Sequence, residues 1–336
     1  MSRVAVIGAG SWGTAVASIV AVNATATLWA RRAELADMMC ATRENPTYLP
    51  GTRLPDTLTA TASLEAACAD ADVVVVAVPS HGFRTVLTEA RPFIGSSTPV
   101  ISLAKGIEQG TLRRMTEVVS EVLDHHDASR AGVLTGPNLA REVAAGQPTA
   151  SVVAVSHAAV AEDLQRLFWA PNLRVYTNPD VVGCEIAGAL KNVLAIGAGI
   201  ADGLGYGDNT KAALMTRGLA ELARLGVAMG GEPLTFAGLA GMGDLIATCS
   251  SPQSRNRHVG VQLGRGRSLD DIVSEMNMVA EGVKTTSAVL ELAARHDVEM
   301  PLAAFVGRVL YQGARPADLV PELMLRKAKP ELHGMR

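Results

Sequence analysis

Cysteine is scarce in this chain and nowhere clustered: Cys40, Cys68, Cys184 and Cys249 stand far apart, with no Cys-x-x-Cys pair. That usage fits a reduced, cytoplasmic interior. The seven histidines contain no His-x-x-x-His set, and the adjacent His125-His126 lies in a polar, turn-like stretch that reads as a solvated loop, so no metal is expected. An excess of positive charge is also missing. The net charge is -3, which argues against nucleic acid as a partner and leaves any anion binding to locally placed cations. No uncharged run of about 18 residues suggests a membrane span, and a β run opening at Val4 leaves no room for a signal peptide, so no stable membrane anchor is expected.

What the chain does have is apolar mass: 48% of its 336 residues are hydrophobic and 19% charged, the balance of a compact soluble protein long enough for two domains. Its first segment, Val4-Ala5-Val6-Ile7-Gly8-Ala9-Gly10-Ser11-Trp12-Gly13, is a β run broken by glycines in Gly-x-Gly-x-x-Gly spacing and continued by an Ala-rich helix. Gly8 permits a tight turn, Gly10 lets a pyrophosphate approach the backbone, and Gly13 lets helix pack closely on strand. The helix N-terminus then offers free N–H groups to the anion.

β runs and helical stretches alternate from there. Strands are expected at Thr25 to Trp29, Asp72 to Val78, Val100 to Leu103, Val133 to Thr135 and Ser151 to Val155, with helices around Arg32 to Ala41, Leu112 to Leu123 and Ala158 to Phe168. Unbroken apolar strands such as Val73-Val74-Val75-Val76 belong to parallel sheets buried on both faces. From about Pro179 continuous β runs vanish and helical spacing takes over, with a first helix from about Val181 to Ala201. The reading is an α/β protein: residues 1–179 a doubly wound, mostly parallel dinucleotide-binding domain, and residues 180–336 an all-helical domain. Pro316, Pro321 and Pro330 punctuate a tail expected to be partly ordered.

Several charged residues stand where chemistry needs them. About 20 residues beyond the glycine turn, where NAD-selective chains place Asp or Glu, this one has Arg31 and Arg32, which suit a 2′-phosphate and favour NADPH over NADH. A solvated basic pair opening a helix is the alternative. Lys191 lies mid-helix in an apolar stretch, where desolvation would lower its pKa towards that of a proton-transfer group; snorkelling or a buried ion pair are the structural alternatives. Gly241-Met242-Gly243-Asp244 frees the backbone around one carboxylate, and Ser254-Arg255-Asn256 gathers donors that suit a phosphate or, alternatively, form a capped helix start. Lys105 follows one strand and Gly136-Pro137-Asn138-Leu139-Ala140 the next, both at strand carboxyl ends where open α/β sheets bind ligands.

Together the blocks GAGSWGTA, VVAVPSH, SLAKGIE, EIAGALKNVLAIGAGIADGLGYGDNTKAALMTRGLAE, LAGMGDLIATCSSPQSRNRHVG and VAEGVKT resemble bacterial NAD(P)-dependent glycerol-3-phosphate dehydrogenase nearly end to end. The resemblance implies an N-terminal Rossmann domain, a helical C-terminal domain and an active site in the cleft between them. By position it puts Ser11, Trp12, Arg31, Arg32, Tyr48, Lys105, Ala140, Arg255, Val279 and Glu281 with the glycine loop at the cofactor. It puts Lys105, Gly136, Asn138, Lys191, Asp244, Ser254, Arg255 and Asn256 at the glycerol phosphate. Lys191 resembles the catalytic lysine, oriented by Asp244, with Lys105 polarising the carbonyl of dihydroxyacetone phosphate. Asn138 stands where the family usually has Ser or Thr. NADPH is the expected cofactor and NADH the second; the product would feed phospholipid synthesis, and the apolar helices could support a homodimer. A two-domain hydroxy or keto acid reductase, or an NADPH-sensing protein without turnover, are the competing readings.

Overall fold

The computed structural model describes residues 2–276 and 280–331. The chain divides into two compact units, Met1–Ala104 with Arg114–Val181, and Lys105–Arg113 with Val182–Arg336. The first unit carries β1 (Arg3–Ile7), β2 (Thr25–Trp29), β3 (Glu44–Asn45), β4 (Leu49–Arg53), β5 (Leu58–Thr61), β6 (Val73–Val76), β7 (Val100–Ser102), β8 (Ala131–Thr135), β9 (Thr149–Val155) and β10 (Leu173–Asn178). Eight of these form one sheet in the order β10-β9-β8-β7-β6-β1-β2-β5, while β3 and β4 pair apart as an antiparallel hairpin. Within the large sheet only β8 and β9 run antiparallel.

The strand sequences explain the double burial. Val4 and Val6 enter one core and Ala5 and Ile7 the other, because successive residues of a strand face opposite sides. Val75 joins the first of these cores and Val74 and Val76 the second, in register with β1 from Val4↔Val73 to Ile7↔Val76. A strand covered on both faces has no place for a polar alternation. The chain runs outward from β1 to β2, then from β6 onward builds on the other side of β1. Strand order therefore reverses at β1, and the residue beyond its carboxyl end is Gly8, at the kind of switch point where doubly wound sheets bind ligands.

Strands β5 and β10 and the β3–β4 hairpin go beyond the sequence reading. β10 buries Leu173 and Val175 but exposes Arg174 and Tyr176, and β5 is threonine-rich; edge strands with one solvated face lack the continuous apolar run that marks central ones. The helix expected from Leu112 starts only at Met115, because Leu112 takes a left-handed φ of 61°. Unlike the single boundary expected after residue 179, Lys105–Arg113 groups with the second unit: Ile107 and Leu112 bury their side chains in its helical core. Pro316–Met324 is a helix, with Pro316 at the position where a missing N–H costs nothing and Leu319 buried.

Among the described residues the second unit contains no strand. Its core helix, Val181–Gly203, is long and apolar enough by length and composition to cross a membrane, with a mean hydropathy of 1.5, yet 89% of that window is buried within the protein. The helix packs against Arg255–Gly264 along a glycine seam. The Cα atoms of Gly199 and Gly260 face each other so closely that a Cβ on either would lie 2.9 Å from the other's Cα, and one on Gly260 would also collide with the Ile196 carbonyl oxygen. Gly203 and Gly264 repeat the arrangement a turn later. Backbone cannot move aside as a flexible side chain can. Gly260→Ala is therefore expected to destabilise the protein by about 1–3 kcal/mol in urea unfolding, while Gly82→Ala, which meets nothing within 4 Å inside the helix Ser80–Ala90, should be neutral or stabilising.

Candidate active site

In the first unit the glycine turn is built as its spacing requires. Gly8 has φ 120°, and a Cβ there would lie 2.8 Å from the Ala77 carbonyl oxygen. A Cβ on Gly13 would collide with the Gly8 carbonyl, so the helix Ser11–Asn23 lies tight on its strand. Gly10, the N-cap of that helix, is different: nothing lies within 4 Å of its missing Cβ. The helix has no acidic residue in its first turn to occupy its N–H groups, and the Trp12 indole Nε1 is buried without a hydrogen-bond partner among the described residues. An open backbone cradle, a helix N-terminus and an unused buried donor fit a dinucleotide pyrophosphate.

Around this turn the structure gathers Ser11, Tyr48 and Arg32. The Ser11 hydroxyl donates to the Tyr48 carbonyl at 2.5 Å, and the Arg32 guanidinium lies 6.0 Å from the centroid of the Tyr48 ring. Arg31 and Arg32 are exposed just past β2, and among the described residues neither is ion-paired with a carboxylate. Asn45, which sequence reasoning missed, is fully buried and donates to the Ala9 carbonyl at 2.9 Å and to Thr14 Oγ1 at 2.8 Å. Its sign in the sequence is the Asn-Pro step that opens the turn to Tyr48. Beyond β8, Gly136 turns at φ 118°, Asn138 is buried, and Ala140 opens the helix Ala140–Ala144.

The second unit concentrates its charge on one carboxylate. Lys191, 5% exposed, donates from Nζ to Asp244 Oδ1 at 2.7 Å and to Thr248 Oγ1 at 2.6 Å, so it does not snorkel. Lys105 Nζ donates to the other oxygen, Asp244 Oδ2, at 2.8 Å. Asp244 reaches both because a π-helical turn, Leu239–Gly243, delivers it to the start of the helix Asp244–Ser250; a Cβ on Gly241 within that turn would collide with the Phe236 carbonyl. Irregular helical turns of this kind often mark functional positions. Thr248 sits one turn after Asp244 and so shares its face. Two ammonium groups on one buried carboxylate leave one positive charge over. Burial pushes the Lys105 ammonium down to about 8, the like charge of Lys191 adds to the lowering, and Asp244 opposes it.

A second network flanks the first. The Asn192 side-chain amide donates to the Lys105 carbonyl at 2.8 Å, Asn256 donates to Asn192 Oδ1 at 2.9 Å, and the Gly282 N–H donates to Asn256 Oδ1 at 2.9 Å. Asn256 is thus tied into the frame that fixes Lys105. Ser254 caps the helix Arg255–Gly264, accepting from the Arg257 N–H at 3.2 Å, as the structural alternative for this segment anticipated. Burial lowers the Arg255 guanidinium from its ordinary value, and the charge of Glu281 opposes that shift. Val279 lies outside the described residues. Among those residues no group of three or more His, Cys, Asp or Glu side chains could hold a metal.

A glycine turn at the switch point of a parallel sheet, with a helical unit that holds a buried and a part-buried lysine on one buried aspartate, defines the class of nucleotide-dependent oxidoreductases. The family models for the NAD-dependent glycerol-3-phosphate dehydrogenase N-terminus and C-terminus match residues 3–161 and 180–321. The chain belongs to the NAD-dependent glycerol-3-phosphate dehydrogenase family. It is 55% identical over 332 residues to glycerol-3-phosphate dehydrogenase (NAD(P)+) 2 of Sphingopyxis alaskensis, covering 98% of both chains. It is 52% identical over 330 residues to glycerol-3-phosphate dehydrogenase (NAD(P)+) of Streptomyces avermitilis, again over 98% of both. The crystal structure of the Coxiella burnetii glycerol-3-phosphate dehydrogenase superposes with a TM-score of 0.92 at 39% identity, covering 97% of this chain and 99% of that one. A ketopantoate reductase from Ralstonia eutropha shares the fold alone, at a TM-score of 0.56 and 17% identity over 93% of this chain and 98% of that one.

Proposed function

We propose that this enzyme interconverts dihydroxyacetone phosphate and sn-glycerol 3-phosphate, with NADPH preferred and NADH accepted, and so supplies a precursor for phospholipid synthesis. The observation that carries this reading is the Lys191–Asp244–Lys105 cluster. Held at the Gly8–Gly13 turn, a nicotinamide dinucleotide would supply hydride chemistry at C2 of the ketone. Lys191, held in place by Asp244 and Thr248, gives a proton from Nζ to the carbonyl oxygen as that oxygen becomes a hydroxyl, and takes it back in the oxidative direction. Lys105, fixed through its own carbonyl by Asn192, stabilises the negative charge developing on the same oxygen. Arg255, at the start of its helix, supplies the phosphate contact, and binding energy from that non-reacting group positions the ketone. The cytoplasm as location and a homodimer as assembly belong to the same proposal.

Oxidation of NADPH with dihydroxyacetone phosphate, compared with unphosphorylated dihydroxyacetone and with ketopantoate, tests the substrate assignment. Turnover is expected with the phosphate ester and a loss of about a hundredfold or more in kcat/KM without the phosphate. Turnover of ketopantoate alone would transfer the chain to the acid reductases, and binding without oxidation to the sensors.

The lowered Lys105 adds a pH dependence. Below about pH 8 the lysine is mostly charged and the cluster carries its surplus positive charge; above that it becomes mostly neutral. The kcat/KM for dihydroxyacetone phosphate should accordingly fall as pH rises through about 8, approaching tenfold per pH unit. Lys105→Met should lower activity and remove this inflection from the pH profile.

A further inference from the structure

Asn45 spends its whole side chain on the dinucleotide loop. Both amide hydrogens are used, one on the Ala9 carbonyl between Gly8 and Gly10, the other on Thr14 Oγ1 in the first turn of the following helix. Its Oδ1 accepts from the Tyr48 backbone N–H at 3.1 Å. The Ser11 hydroxyl holds the carbonyl of the same tyrosine. Tyr48 is thus gripped at its backbone N–H and its backbone carbonyl by groups belonging to, or tied to, the glycine turn, and its ring lies by the Arg32 guanidinium.

This arrangement links two parts of the cofactor surface. An exposed arginine has many rotamers, and immobilising it upon binding costs affinity unless something confines it beforehand. The Tyr48 ring is that confinement for Arg32, and the ring stays in place only while its backbone is anchored. We propose that Asn45 is a positioning residue for cofactor selection: it locks the turn carrying Tyr48 to the glycine loop, so that Arg32 is held ready for the 2′-phosphate of NADPH. The inference rests on the assignment of Arg32 to that phosphate. Asn45 would contact neither substrate nor reacting atoms.

The prediction is a change in selectivity. Loss of Asn45 weakens the loop for both nucleotides, but only NADPH also loses the prepared arginine. In Asn45→Ser the ratio of kcat/KM for NADPH to that for NADH should fall about threefold to tenfold, the cost of one unconfined long side chain. Tyr48→Leu, which removes the ring and leaves the buried amide network intact, should lower the same ratio and carries the test should Asn45→Ser fail to fold. A double-mutant cycle with Arg32→Ala separates coupling from general damage: Asn45→Ser should lower the ratio little further once Arg32 is gone. Equal loss for both nucleotides in Asn45→Ser and Tyr48→Leu, or losses that multiply fully in the double variant, would overturn the inference while leaving Arg32 as the reader of the phosphate. An unchanged ratio in Arg32→Ala alone would remove the underlying assignment and this inference with it.

Discussion

Lys191→Ala is expected to reduce kcat by about a hundredfold to ten-thousandfold, the range over which a positioned proton donor acts, while leaving nucleotide binding intact. Asp244 keeps Lys105 as a partner on its other oxygen, so the substitution does not strand an uncompensated buried carboxylate. The fold should therefore survive, and the dissociation constant for NADPH, read by fluorescence titration, should stay within about twofold of the parent enzyme. Lys191→Arg sharpens the case. A guanidinium preserves the charge and can pair with Asp244, but it does not release a proton in the working pH range, so the variant should remain close to the alanine one. Recovery of near-normal turnover in Lys191→Arg would show that the site needs a fixed charge and not a proton donor.

The second large effect concerns the nucleotide. Arg31 and Arg32 stand exposed beyond β2 and among the described residues have no carboxylate on which to spend their charge. A charge-assisted hydrogen bond to a phosphate contributes roughly 1.5–3 kcal/mol. Replacing both arginines by alanine should then lower kcat/KM for NADPH by about a hundredfold or more and leave NADH within about threefold. Parallel losses with both nucleotides would mean that the pair supports the loop, as a solvated basic pair opening a helix would.

What could be read from the sequence and what could not divides along a physical line. The glycine turn was legible because each glycine's task is local, set by a φ at Gly8 or by a clash at Gly13 with a residue five positions away. The central strands were legible because burial on both faces demands unbroken apolar runs, and Lys191 because a charge in the middle of a largely apolar helix, where it is one of nineteen buried positions, must be compensated. The compensating group, Asp244, was implied by the family resemblance and not by spacing or periodicity. Asp244 is 53 residues from Lys191 and 139 from Lys105, and only the packing of the helical unit brings them to one carboxylate. Asn45 and Asn192 escaped for the same reason, since an asparagine's buried role depends on which distant backbone groups need a partner. The affiliation of Lys105–Arg113 was equally hidden, resting on two side chains, Ile107 and Leu112, that find the second core.

The central claim is hydride transfer to C2 of a phosphorylated ketone with proton delivery by Lys191. Its most direct test is isotopic: the enzyme is incubated with dihydroxyacetone phosphate and NADPH doubly deuterated at C4 of the nicotinamide, and the product is analysed by mass spectrometry and NMR. The account predicts glycerol 3-phosphate of the sn-3 configuration with one deuterium, at C2, formed by the parent enzyme and nearly absent with Lys191→Ala. Product without deuterium, or no reduction of dihydroxyacetone phosphate by a protein that binds the nucleotide, would contradict it.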